Sequence, residues 1–225
     1  NIHQVDNGIT GECLVLITPD HERTMYTHLG VSSQLNIEDI NQGVIKDSEY
    51  LLVEGYLVTS EETMNVASYS MDIATKHGVK KIITLSDPNV VKFFRDNILE
   101  LLNKTFDIIF CNKQEALNVS KSNNIDDAID FLKKYAHEII ITCGEDGAYV
   151  TIGSEKFHEI PDSVKPVDLT GAGDMFLAAY IFAKVSDKSV VDRIKFANTC
   201  SGNVIQTYGA KLDKQDYVKL LKKLQ

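Results

Sequence analysis

The chain has 225 residues, 44% of them apolar, with a formal net charge of −9 and a sequence pI near 5.1. That apolar fraction excludes a disordered chain, and the acidic balance argues against nucleic-acid backbones as partners. No apolar run approaches the ~20 residues of a membrane-spanning helix, so a membrane partner is not expected either.

Residues 11–17 and 23–28 read as two short strands around the turn signal Thr18-Pro19-Asp20. Val44 to Ser48 leads into Tyr50-Leu51-Leu52-Val53-Glu54-Gly55, a buried-strand pattern closed by glycine. Met64, Ala67, Met71 and Ala74 repeat at helical spacing between Ser60 and His77, and Gly78 supplies the stop. A strand over 81–86, a helix over 90–102 and a strand over 106–110 follow. Helices are expected over 114–119 and 125–135, then a strand over 138–142, a turn at Gly144-Glu145-Asp146-Gly147, and a second strand over 148–152. A polar stretch runs to Val167; helices then occupy about 171–185, 189–206 and 213–224. Strands alternating with helices predict a single α/β domain over residues 1–225 with a parallel sheet flanked by helices.

Cys13, Cys111, Cys143 and Cys200 are far apart and form no C-x-x-C pair. Their expected state is the free thiol of a reducing cytoplasm rather than a disulfide or a zinc site. None of the six histidines has metal-ligand spacing. The chain begins at Asn1, not Met, and its opening segment is neither a signal nor a transit peptide.

The most informative segment is Gly171-Ala172-Gly173-Asp174, which opens an apolar helix. Small residues at a loop-to-helix junction let backbone N–H groups converge on an anion, and the helix dipole adds positive potential there. Asp174 would repel such an anion, and general-base duty toward an attacking hydroxyl is one reason to keep it. The alternative is structural: glycines for a tight turn and Asp174 as a helix cap. A Walker loop is absent, and Phe176 stands where a dinucleotide fingerprint needs its third glycine. Thr142-x-Gly144-x-x-Gly147 is either an ordinary hairpin turn or a surface against which a nucleotide lies. Asn112 and Glu115, after a strand, are either a capping box or ligand-facing groups at the end of the sheet.

In this order, with Asp168 ahead of Gly171 and Tyr208-Gly209-Ala210 behind, these segments resemble the phosphofructokinase-B (PfkB, ribokinase-like) family of sugar and nucleoside kinases. Gly11 to Asp20 with Arg23-Thr24-Met25, and Leu85-Ser86-Asp87-Pro88, look most like its bacterial adenosine-kinase-like branch. The resemblance implies a three-layer α/β/α fold with a mostly parallel sheet, and a small β lid to which about residues 10–30 contribute. It implies ATP-dependent phosphorylation of a hydroxymethyl group on a sugar or nucleoside, with ATP and Mg²⁺ as cofactors.

By the same resemblance Asp174 is the catalytic base, in contact with the acceptor, and Gly171, Ala172 and Gly173 hold the developing negative charge. Asn112 and Glu115 arrange Mg²⁺ and phosphate through water. Thr142, Gly144 and Gly147 form the ATP-side turn, and Asn198 borders the adenine. A monovalent cation such as K⁺ would take oxygens from Asp168, Thr170, Val204, Thr207 and Gly209. Leu169 departs from the family's usual small residue there. Glu54 falls where sugar kinases place an acceptor-side carboxylate. Lids of this kind often pair between subunits, so a homodimer is an expectation.

The family's first strand, acceptor-binding Asp and Gly-Gly hinge normally precede the point matching Asn1, and the expectation is therefore a chain belonging to a longer protein. The competing function is a nucleotide- or sugar-binding protein of the same fold without catalysis. A purely structural domain would gain no thermal stability from Mg·ATP.

Overall fold

A computed structural model describes residues 4–19 and 23–224; Asp20, the last residue of the expected first turn, lies outside the described residues. The chain divides into two compact units, Asn1–Cys13 with Thr27–Ile140, and Leu14–Tyr26 with Ile141–Gln225. The strands β1 (Glu12–Ile17) and β2 (Arg23–His28) pair as a two-stranded sheet. A mixed, mostly parallel sheet follows the order β3 (Tyr50–Glu54), β4 (Lys80–Thr84), β5 (Phe106–Asn112), β6 (Ala136–Thr142), β7 (Ala148–Ile152) and β8 (Glu155–Glu159). The expected α/β architecture is therefore the one observed.

In the first unit, β3, β4 and β5 run parallel, with Tyr50 opposite Lys80 and Ile82 opposite Ile108. Ile82, Ile83, Ile108 and Ile109 are buried, as strands covered on both faces require. The helices of this unit are α1 (Gln42–Lys46), α2 (Glu61–His77), α3 (Pro88–Phe93), α4 (Arg95–Leu102), α5 (Lys113–Ser120) and α6 (Ile125–Leu132). α2 shows why the sequence was readable there. Ser60 accepts from the Thr63 amide, Glu61 and Glu62 sit in the first turn, and Gly78 closes the helix at φ 71°.

Three expectations are corrected. Val44, read as the approach to a strand, lies in α1, which Asn41 caps through the Gly43 and Val44 amides. The single helix over 90–102 is two, because Phe94 leaves helical geometry at φ −118°, ψ 31°, with no glycine or proline to announce the break. The polar stretch after β7 contains β8, antiparallel to β7 with Val150 opposite Phe157. Its sequence, EKFHE, reads as loop because an outermost strand of a sheet is kept polar.

The second unit packs α7 (Ala172–Val185) against α8 (Val190–Val204), followed by α9 (Lys214–Lys222). Phe176 and Tyr180 stack at 6.4 Å along α7, and Phe182 meets Phe196 of α8 at 6.4 Å. Phe176 is thus a core residue, which agrees with the exclusion of a dinucleotide fingerprint.

The four cysteines are thiols, not disulfides. Burial on α8 pushes the Cys200 thiol up to about 11, whereas Cys13 is exposed on β1. A raised pKa leaves less thiolate and burial limits access, so at pH 7.5 Cys200 should alkylate much more slowly than the exposed Cys13. Iodoacetamide labelling followed by peptide mass spectrometry checks this; comparable rates in the folded protein would contradict it.

Candidate active site

α7 starts differently from its neighbours. Ser60, Asn112, Asn124, Ser189 and Asp213 each accept an amide hydrogen bond at the start of their helices. α7 has Gly171 at that position, at φ 79°, and no side-chain cap. Gly171 is required there twice over. Its φ is unfavourable for other residues, and a Cβ would lie 2.7 Å from the Ala210 Cβ. Asp174 is exposed in the first turn and does not cap the helix, so the structural alternative for that carboxylate is not what the fold uses it for. The early N–H groups of α7 have no intrahelical acceptor, the Ala172 amide donating instead to the Leu169 carbonyl at 3.3 Å, and the dipole makes this end positive. Such an end suits an anion, with a carboxylate beside it.

Asp168 holds the loop that leads there. Its side chain is 1% exposed; Oδ1 accepts from the Thr170 amide at 2.8 Å and Oδ2 from the Gly209 amide at 2.8 Å. The amides of Val167 and Asp168 donate to the Ile205 carbonyl, tying the loop to the end of α8. Ser201 of α8 donates to the Ala172 carbonyl at 3.0 Å. Sequence reasoning missed Ser201, and no local pattern marks it. Thr207 donates through both its amide and its hydroxyl to the Val204 carbonyl. Asp168, Thr170 and Gly209 are thus directly joined, and Val204 and Thr207 form a second joined pair close by in sequence. The Thr170 hydroxyl is buried with no hydrogen-bond partner among the described residues. A buried hydroxyl without a partner, on the residue whose amide binds a buried carboxylate, is a chemically apt start for a cation cage.

The turn after β6 is closed by the Cys143 amide donating to Gly147 O at 2.7 Å and the Gly147 amide donating to Gly144 O at 3.1 Å. Gly144 has φ 60°, with nothing within 4 Å of where a Cβ would stand, so this side of the turn is open. Gly147 is the opposite case: at φ 87° a Cβ would lie 2.2 Å from the Glu159 carbonyl oxygen. Thr142 is half-buried at the end of β6. Asn198 is buried on α8 and donates to the Glu159 carbonyl at 3.1 Å, so its side-chain nitrogen is engaged by the protein.

The first unit holds the remaining candidates at the carboxyl ends of its strands. Asn112 and Glu115 form a reciprocal capping box at the start of α5. Both Glu115 oxygens face Asn112, one on its amide at 3.0 Å and one on its side chain at 2.7 Å. Glu54 is exposed at the end of β3, and Gly55 behind it is needed because a Cβ would meet the Leu85 carbonyl oxygen at 2.6 Å.

The comparisons agree on one lineage. The sequence matches the pfkB family of carbohydrate kinases over residues 1–216. An adenosine kinase from Sinorhizobium meliloti superposes with a TM-score of 0.90 at 30% identity, covering 95% of this chain and 66% of that one. A ribokinase from Staphylococcus aureus is 27% identical over 90% of this chain and 66% of its own length. A protein described as a ribokinase II from E. coli, solved with ATP and Mg²⁺, shares the fold at a TM-score of 0.82 and 20% identity, covering 94% of this chain and 71% of that one. The chain thus spans about two thirds of the length of the relatives it matches. It has the ribokinase-like fold and belongs to the pfkB family of carbohydrate kinases.

Proposed function

We propose that the protein transfers a phosphoryl group from ATP to a hydroxymethyl group of a sugar or nucleoside. The observation that carries this reading is the uncapped start of α7, with Asp174 exposed in its first turn and the preceding loop fixed by the buried Asp168. Asp174 takes the proton from the acceptor hydroxyl as its oxygen attacks phosphorus, and the N–H groups at the start of α7 stabilise the negative charge that develops. Thr142, Gly144 and Gly147 present the open turn to the nucleotide. Asn112 and Glu115, with Glu54 on the acceptor side, complete the assignment. Mg²⁺, when bound, supplies charge neutralisation between phosphate oxygens. No group of three or more His, Cys, Asp or Glu among the described residues is arranged for a metal. Mg²⁺ keeps several of its waters when it binds phosphates, so Asn112 and Glu115 would act on it through water.

Adenosine is the acceptor we favour, because the structural relative at 30% identity is an adenosine kinase. Coupled ADP release with Mg·ATP across adenosine, other nucleosides, ribose and fructose 6-phosphate tests both levels. Stimulation by adenosine supports the full reading; stimulation by ribose keeps the kinase and changes its acceptor. ATP binding with no stimulation by any acceptor would favour a non-catalytic binding protein. None of the described helices is long and apolar enough to cross a membrane; a cytoplasmic location is our proposal, on the ground that four widely spaced cysteines without a C-x-x-C pair suit a reducing compartment.

The cation assignment has its own test. Thr170→Val removes the orphaned hydroxyl, so without K⁺ its stability should match wild type or exceed it by about 1 kcal/mol. Its activation by K⁺ over N-methylglucamine should fall. A full K⁺ response in the variant would remove Thr170 from the cage.

A further inference from the structure

The open turn at Gly144 is held from behind by β8, and the hold includes a side chain outside the set assigned above. The Asp146 carbonyl can only accept, so His158 Nε2 donates to it, at 2.8 Å. The His158 ring stacks on Tyr149 of β7 with centroids 4.0 Å apart and planes within 6°. Lys156 Nζ stands 4.8 Å from the Tyr149 ring centroid. His158 and Tyr149 are register partners across the β7–β8 hairpin. One residue further along β8, the Glu159 carbonyl is the group that leaves no room for a side chain at Gly147 and accepts from Asn198.

β8 thereby grips the turn at two successive residues. His158 fixes the Asp146 carbonyl, and Glu159 packs against Gly147. The stack on Tyr149 fixes the imidazole in turn, since a ring held face to face on a strand partner has little freedom to swing away. Gly144 faces open space, so the grip is all on one side of the turn and the other side stays available. We propose that His158 is a positioning residue for nucleotide binding, holding the Cys143–Gly147 turn through the Asp146 carbonyl. This rests on the kinase reading, in which that turn faces ATP. His158 touches no reacting atom, so its loss should act on nucleotide affinity and leave the chemical step alone.

The test uses His158→Phe, which keeps a ring to stack on Tyr149 and removes the donor, and His158→Gln, whose amide restores a donor. Calorimetric Mg·ATP affinity, KM for ATP, KM for the acceptor, kcat and Tm are measured on the full-length protein. The Phe variant should raise the Kd and KM for ATP about three- to tenfold, the effect of one neutral hydrogen bond, with kcat and acceptor KM within about twofold. The Gln variant should return to within about twofold of wild type. Unchanged ATP affinity in the Phe variant, or equal impairment in the Gln variant, would overturn the proposal. So would a fall in Tm that moves kcat and both KM values together, the signature of a general structural role. Wild type that binds Mg·ATP without transferring phosphate would overturn the kinase reading while the affinity comparison still decides the role of His158. Wild type that does not bind Mg·ATP overturns both.

Discussion

Asp174→Asn is expected to lower kcat by about 10² to 10⁴ while Mg·ATP binds as tightly as before or more tightly. That range is what a positioned general base contributes, and it corresponds to about 2.7 to 5.4 kcal/mol of barrier. The sign on affinity follows from charge: the substitution removes a carboxylate from the end of α7 where an anion would bind, and with it a repulsion. Folding should be unaffected, because Asp174 is exposed and is not a cap of α7. Steady-state kinetics, calorimetry and a thermal melt read the three quantities separately. Normal turnover in the variant would show that the base lies elsewhere.

Asp168→Ala should have the largest effect on stability. The buried carboxylate satisfies two backbone amides, those of Thr170 and Gly209. Alanine leaves both donors without it, at about 1–3 kcal/mol each, or about 2–6 kcal/mol together. Set against a total stability of about 5–15 kcal/mol, that is enough to unfold a large fraction of the molecules under mild denaturant. The loop carrying Gly171 would also lose its anchor, so Mg·ATP affinity should fall even in molecules that remain folded. Asp168→Asn should be milder, since one amide oxygen can keep one of the two bonds. Urea unfolding of both variants checks the order; an alanine variant as stable as wild type would contradict the anchoring role.

The parts of the fold that could be read in the sequence are those governed by local chemistry. α2 carries its cap, charge bias and glycine stop in consecutive residues, and the buried strands β4 and β5 are apolar runs bounded by turns. β8 was hidden because a polar outermost strand has no hydrophobic alternation to detect, and its identity depends on β7 beside it. The break at Phe94 was hidden for a similar reason: it has no local signature.

The candidate site divides in the same way. Gly171, Gly144 and Gly147 were visible because a positive φ favours glycine, which stands out in a sequence. Contacts that join distant segments were not. Nothing near Ser201 indicates that it holds the Ala172 carbonyl, and nothing near His158 indicates Asp146. Asp168 was placed by resemblance as a cation ligand, and its bonds to Thr170 and Gly209 add an anchoring role.

The most direct test of the central claim is a phosphorus NMR spectrum of the products formed from Mg·ATP and adenosine by the full-length protein. A new phosphomonoester resonance split into a triplet by two adjacent methylene protons, growing in step with ADP, is the expected result. It would place the phosphoryl group on a hydroxymethyl oxygen. ADP formed only together with inorganic phosphate, or an unchanged ATP spectrum with every acceptor of the panel, would contradict it.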